Sequence, residues 1–289
     1  MTAIRRLSAL EEAMRLRPGV APDVLIETLA EQLTLDGEVE PPVDMRLLAS
    51  LQSIIEITQT VSSHSGCLIN DRGRLRIELC ATDSAVRQNF TMGHEICHTL
   101  LPGFTMTTNF RCNPGASKPK AGAELKVEWL ADVGASELLL PRRFVQDSFA
   151  GAQFGWDSIE TVAAAYGASL AATARRYVRL SAMPSFFASL EFAASRSNPQ
   201  PELRVTSASW SSGLEVFIPR NKSVPREHPI FQATQGEYVD EITDMRSLCL
   251  SGGYRVAARP YPYNNHEGES VMRVLALGLA ATAAGRPGR

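Results

Sequence analysis

Apolar residues recur at helical spacing along most of the chain up to about Leu180, and in alternating or short continuous runs beyond it. The spacing predicts helices over Ile4 to Leu16, Pro22 to Leu33 and Pro42 to Ile54, the last behind a Pro-Pro start. From Ile54 to Thr60 the pattern becomes strand-like. Cys67 to Asn70 and Leu75 to Leu79 flank Asp71-Arg72-Gly73, whose turn chemistry predicts a hairpin. A helix over Ser84 to Leu101 follows, ended by Pro102-Gly103. Phe104 to Gly122, rich in Thr, Asn, Pro, Lys and Gly, reads as a loop, and a second strong helix runs from Ala123 to Leu139 until Pro141 stops it. Ser158 to Tyr166 and Ser169 to Leu180, parted by Gly167-Ala168, form a helix-turn-helix-like pair. Beyond Met183-Pro184 the pattern predicts strands at Phe186 to Phe192, Leu203 to Trp210, Leu214 to Ile218 and Tyr254 to Ala258. Loops are expected at Ser195 to Pro201 and Pro219 to Pro229, then a closing helix at Ser270 to Ala284 and a frayed tail.

This succession is α+β: a mainly helical first part with a small sheet, a helix-turn-helix-like middle, and a mixed α/β C-terminal part. At 289 residues the chain is long enough for two or three units. We place them at 1–150, 151–183 and 184–289. Hydrophobic residues make up 44% and charged residues 21%, as in an ordinary globular protein, and a net charge of -2 gives no global attraction to nucleic acid. The five cysteines are scattered without a CxxC pair, which predicts reduced thiols and a cytoplasmic protein. No apolar run approaches the roughly 18 residues of a membrane span, and the first residues lack a secretory signal.

The densest chemistry lies in His94-Glu95-Ile96-Cys97-His98. On a helix the i, i+4 spacing sets both imidazoles on one face, where they can hold one zinc ion, and Glu95 stands one position round as a candidate general base. Two histidines and a glutamate within an apolar helix are costly to bury without a shared partner, which a metal ion would supply. A catalytic zinc needs a third protein donor and an open position. Cys97 points to another face, and His64, His228 and His266 lie in loops, where solvated histidines are the simpler reading. Glu128 is the best third donor, with Asp132 one turn further along the same face; Glu124 and Glu137 compete with it on spacing alone.

Thr91 to Leu101, together with Glu128-Trp129-Leu130-Ala131-Asp132 and the run to Leu138-Leu139-Leu140-Pro141, resembles the ImmA/IrrE family of zinc metallopeptidases. The resemblance covers about Pro41 to Val145 and extends into the helix-turn-helix-like pair. It implies a zincin-like peptidase domain with Glu95 as the catalytic residue, His94, His98 and Glu128 as metal ligands, and Asp132 in the place of the family's Asn or Asp. Zinc is the expected metal, with Mn2+ as an alternative in the cell. Leu140 stands where the family has Met, and Cys97 where Gly or Ser is commoner, so an exposed Cys97 would make the site sensitive to oxidants. No oxyanion-stabilising residue is identified; His64 and Arg111 are candidates without further support.

The resemblance further implies an IrrE-like protease that cleaves a helix-turn-helix repressor and so releases stress-response genes, such as those answering DNA damage, with a GAF-like sensory domain at the C-terminus. The strand Leu75 to Leu79 could pair with an extended substrate segment. Arg175, Arg176 and Arg179 form a modest basic patch that could meet DNA or a partner, with docking or packing preferred over DNA reading because the chain is not basic. The alternatives are a DNA-binding regulator, or a toxin-antitoxin or phage-type regulator, in which the peptidase fold mainly docks a partner.

Overall fold

A computed structural model describes residues 7–103, 109–112, 123–195, 199–264 and 269–281, with the backbone alone at 109–112 and 123–126. The expectations for Ile4 and its neighbours, His266, most of the 104–122 loop and the C-terminal tail lie outside these residues. The chain divides into two compact units, Met1–Ser148 with Val162–Ser169, and Phe149–Thr161 with Leu170–Arg289. Among the described residues no helix is long and apolar enough to cross a membrane.

The first unit opens with three helices whose starts are fixed by local chemistry. Helix α1 (Ala9–Leu16) is held by a reciprocal capping box between Ser8 and Glu11. Helix α2 (Pro22–Asp36) begins on a proline, and α3 (Met45–Leu51) on Asp44, whose carboxylate accepts from the backbone of Arg46 and Leu47. Strands β1 (Ile54–Thr60), β2 (Gly66–Asp71), β3 (Arg74–Cys80) and β4 (Asn109–Cys112) form one sheet in the order β1-β3-β2-β4. The hairpin between β2 and β3 turns on Arg72 (φ 52) and Gly73 (φ 88). Two positive φ values in a two-residue loop define the turn whose twist matches the strands it joins.

Two helices build the core behind this sheet. Helix α4 (Ala85–His98) starts at Ser84, whose hydroxyl accepts from the Arg87 amide, and every residue from Thr91 to His98 is buried. It packs against β2 and β3 and against α5 (Ala123–Leu139), which in turn packs on α2. Small residues permit this close approach: a Cβ on Gly93 would touch Ala135, and one on Gly134 would fall 2.6 Å from the Cys97 sulfur. Pro141 ends α5, and α6 (Arg142–Phe149) follows, its first amide satisfied by the Glu137 carboxylate at 2.8 Å.

Helices α7 (Trp156–Tyr166) and α8 (Leu170–Leu180) are the expected short pair, joined through Gly167 at φ 59. The second unit is built on an antiparallel sheet ordered β6-β5-β9-β8-β7, from β5 (Ser185–Ala193), β6 (Glu202–Trp210), β7 (Val239–Asp244), β8 (Gly253–Asn264) and β9 (Ser270–Ala280). One face packs Phe186, Ala188, Val274 and Ala276 into a large core. The opposite face packs Phe187, Leu275 and Leu277 against Trp156, Ala174 and Val178.

Ser270–Ala280 is a strand, not a helix: Val274, Ala276 and Leu275, Leu277 alternate between two buried faces, so a strand covered on both sides reads as a continuous apolar run. Leu214 to Ile218 is not a strand, because the place beside β6 is taken by residues 221–224, whose backbone bonds to Leu203 and Val205. The segment expected as a loop from Phe104 to Gly122 contains the short strand β4.

Candidate metal centre

The histidines and the glutamate come from different helices, and packing of α4 on α5 brings them together. His94, His98 and Glu128 offer donor atoms that all lie within 4.8 Å of one another. The Nε2 atoms of His94 and His98 are 3.1 Å apart, His94 Nε2 lies 3.2 Å from Glu128 Oε2, and His98 Nε2 lies 3.4 Å from Glu128 Oε1. Zinc binds these atoms at about 2.0–2.2 Å, so tetrahedral donors around it stand about 3.3–3.5 Å apart. Each separation lies within a few tenths of an ångström of that spacing, the two imidazoles meeting different oxygens of the Glu128 carboxylate, and the residue types fit a zinc ion.

The protonation pattern agrees with that fit. Asp132, one turn beyond Glu128, places Oδ1 2.9 Å from His94 Nδ1. A proton on Nδ1 donates to this carboxylate and leaves the Nε2 lone pair facing His98 and Glu128. His98 is fully buried, and burial, helped by the neighbouring His94, pushes its pKa well below the ordinary range. The two Nε2 atoms face each other at 3.1 Å, a contact that either an Nε2–H of His98 donating to His94 or a shared cation would satisfy.

Glu95 is buried completely. Its carboxyl is pushed up to about 8, first by burial and then by the Glu128 charge; His94 and the Leu68 backbone act in the opposite sense. Neither of its oxygens makes a side-chain hydrogen bond of normal geometry. The Leu68 amide is thus a weak partner, and the carboxylate is left available for another proton donor.

Glu137 is committed to the start of α6, and the side chain of Glu124 lies outside the described atoms, as does that of Arg111. His64 is not part of the donor group. Cys97 is buried against α5 and its thiol is raised to about 12 by burial, which corrects the idea of an oxidant-sensitive site. Strand β3 lies between β1 and β2, so Leu75 to Leu79 has no open edge for a substrate segment. In the second unit Arg176 is buried and withdrawn from the basic patch, while Arg175, still exposed, bonds to Ser207 and lies over Phe187. His228, read as solvated, instead uses both ring nitrogens, one toward the Asp244 carbonyl and one toward the Ile230 amide.

Sequence reasoning missed Gly93 and Gly134, whose part in bringing the helices together becomes visible only once α4 and α5 are paired.

No curated protein matches the sequence significantly. A solved structure described as a Mycobacterium tuberculosis transcriptional regulator is similar in fold, with a TM-score of 0.60 at 11% identity over 95% of this chain and 82% of that one. Residues 56–177, which hold both imidazoles, Glu95, Glu128 and Asp132, match the peptidase family described as the IrrE N-terminal-like domain, in agreement with the ImmA/IrrE resemblance.

Proposed function

We propose that this chain is a cytosolic zinc-dependent endopeptidase that cleaves a helix-turn-helix transcriptional repressor and so derepresses stress-response genes. The observation that supports the reading most is the convergence of His94, His98 and Glu128 next to the buried Glu95. His94, His98 and Glu128 would hold the metal, with Asp132 fixing the His94 tautomer. When bound, zinc supplies Lewis acidity, which activates water near neutral pH and polarises a carbonyl. Glu95 takes the proton from water at one carboxylate oxygen and delivers it to the leaving amine. Burial raises its carboxyl above the usual range. The repressor as substrate rests on the ImmA/IrrE resemblance, as does the assignment of the C-terminal sheet to a GAF-like sensory domain. The DNA-binding alternative is weakened by the burial of Arg176, one of the three arginines it requires.

The test is co-incubation of the zinc-loaded protein with candidate helix-turn-helix repressors. Wild type is expected to cut one of them at a defined bond, and Glu95→Gln to bind zinc yet leave it intact. Cleavage by Glu95→Gln at the wild-type rate would refute the mechanism.

A further inference from the structure

Arg87, Thr91 and Glu95 are four residues apart on α4 and share one stripe of the helix. That stripe meets the start of β2. The Arg87 guanidinium donates to the Ser65 hydroxyl from Nε at 3.3 Å and from Nη2 at 3.2 Å. At the next residue, a Cβ added to Gly66 would lie 2.3 Å from Thr91 Cγ2, 3.3 Å from the Glu78 carbonyl on β3 and 3.5 Å from Glu95 Oε1. Thr91 is fully buried and β-branched within a helix, so its methyl group has little freedom to swing aside. The strand therefore touches the helix at the turn that carries Glu95 only because residue 66 has no side chain.

We propose that Gly66 is a positioning residue for Glu95: by letting β2 seat directly on Thr91, it fixes the Glu95 carboxylate beside the His94, His98 and Glu128 donors. Those donors are set separately, by Gly93 against Ala135 and Gly134 against Cys97 between α4 and α5. The β2 seat and the α5 contacts are thus two separate supports of α4, and substitution at Gly66 disturbs the first alone. The role rests on the peptidase reading above.

The test uses the full chain as wild type, Gly66→Ala, Thr91→Ser, the double variant and Glu95→Ala. Zinc content is measured first, then binding of acetohydroxamate, a small metal chelator that can donate a hydrogen bond to an adjacent carboxylate, and thermal unfolding. One zinc per chain is expected throughout. Glu95→Ala and Gly66→Ala should each weaken acetohydroxamate about tenfold, as for one lost hydrogen bond to a charged group. Adding Thr91→Ser to Gly66→Ala removes the opposing methyl and should restore both affinity and melting temperature. If Gly66→Ala alone does not fold, the double variant compared with Thr91→Ser decides: equal affinities support the role, and a tenfold gap overturns it.

Wild-type affinity in Gly66→Ala, or failure of Thr91→Ser to rescue a folded, zinc-loaded protein, overturns the proposal. Loss of zinc in Gly66→Ala also overturns it, by showing that the strand supports the metal donors. A wild type that takes up no zinc, or a Glu95→Ala variant with undiminished acetohydroxamate affinity, instead removes the peptidase reading beneath it.

Discussion

Replacing Asp132 by Ala removes the acceptor that orients His94 while leaving all three metal donors in place. The bond is short, 2.9 Å from His94 Nδ1 to Asp132 Oδ1, and it links an imidazole to a carboxylate. Hydrogen bonds to charged groups contribute about 1.5–3 kcal/mol. The Asp132 side chain is 38% exposed, so solvent screening brings this toward the lower end. At 1.4 kcal/mol per factor of ten, Asp132→Ala should weaken zinc binding roughly tenfold, the low end of what loss of a partner behind a metal-bound histidine costs. Asp132→Asn keeps an acceptor oxygen without the charge and should lose only about threefold, since neutral hydrogen bonds are roughly half as strong. Competition against a chromogenic zinc chelator at neutral pH reads both variants, with circular dichroism confirming that the helices remain. Zinc affinity of Asp132→Ala equal to that of wild type would show that the carboxylate does not act through His94.

Further outcomes follow from the packing of each unit. Gly278→Ala would place a Cβ 1.9 Å from the buried Phe186 ring, and should destabilise the protein by about 1–3 kcal/mol in urea melts without changing zinc content. A thiol reagent applied to native protein should label the exposed Cys249 quickly, and label Cys97 only after denaturation, as mapped by mass spectrometry. Burial holds His228 below its ordinary pKa against the opposing pull of the Asp244 carbonyl and nearby acidic charges. The unfolded chain therefore binds a proton that the folded one resists, and stability should fall as pH drops below about 6.5. His228→Asn should lessen that dependence between pH 7.5 and 5, as followed by urea midpoints, the remainder coming from the more deeply buried His98.

The centre was legible in the sequence because its chemistry is local: two imidazoles at i, i+4 fix their own geometry, and α5 was visible from its apolar spacing and Pro141. Glu128 could not be separated from Glu124 and Glu137 by spacing, since the choice depends on which turn of α5 faces α4. That is decided by Gly93, Ala135 and Gly134, small residues with no chemical signature of their own. The second unit was less legible for a different reason. Strand β9 is rich in Leu and Ala and favours helix by propensity, yet its position between β5 and β8 forces alternation between two cores. In Leu214 to Ile218 the alternation is present and the partner strand is missing, so the pattern packs side chains without forming a ladder.

In the proposed centre, two imidazoles from α4 and one carboxylate from α5 hold a single zinc ion. X-ray absorption at the zinc edge of the purified, zinc-loaded protein tests it directly, with His94→Ala, His98→Ala and Glu128→Ala measured for zinc content alongside. One zinc per chain is expected, with nitrogen and oxygen neighbours at about 2.0–2.2 Å, two of them imidazoles, and each substitution should abolish stoichiometric binding. A sulfur neighbour at about 2.3 Å, or full zinc retention by Glu128→Ala, would contradict it.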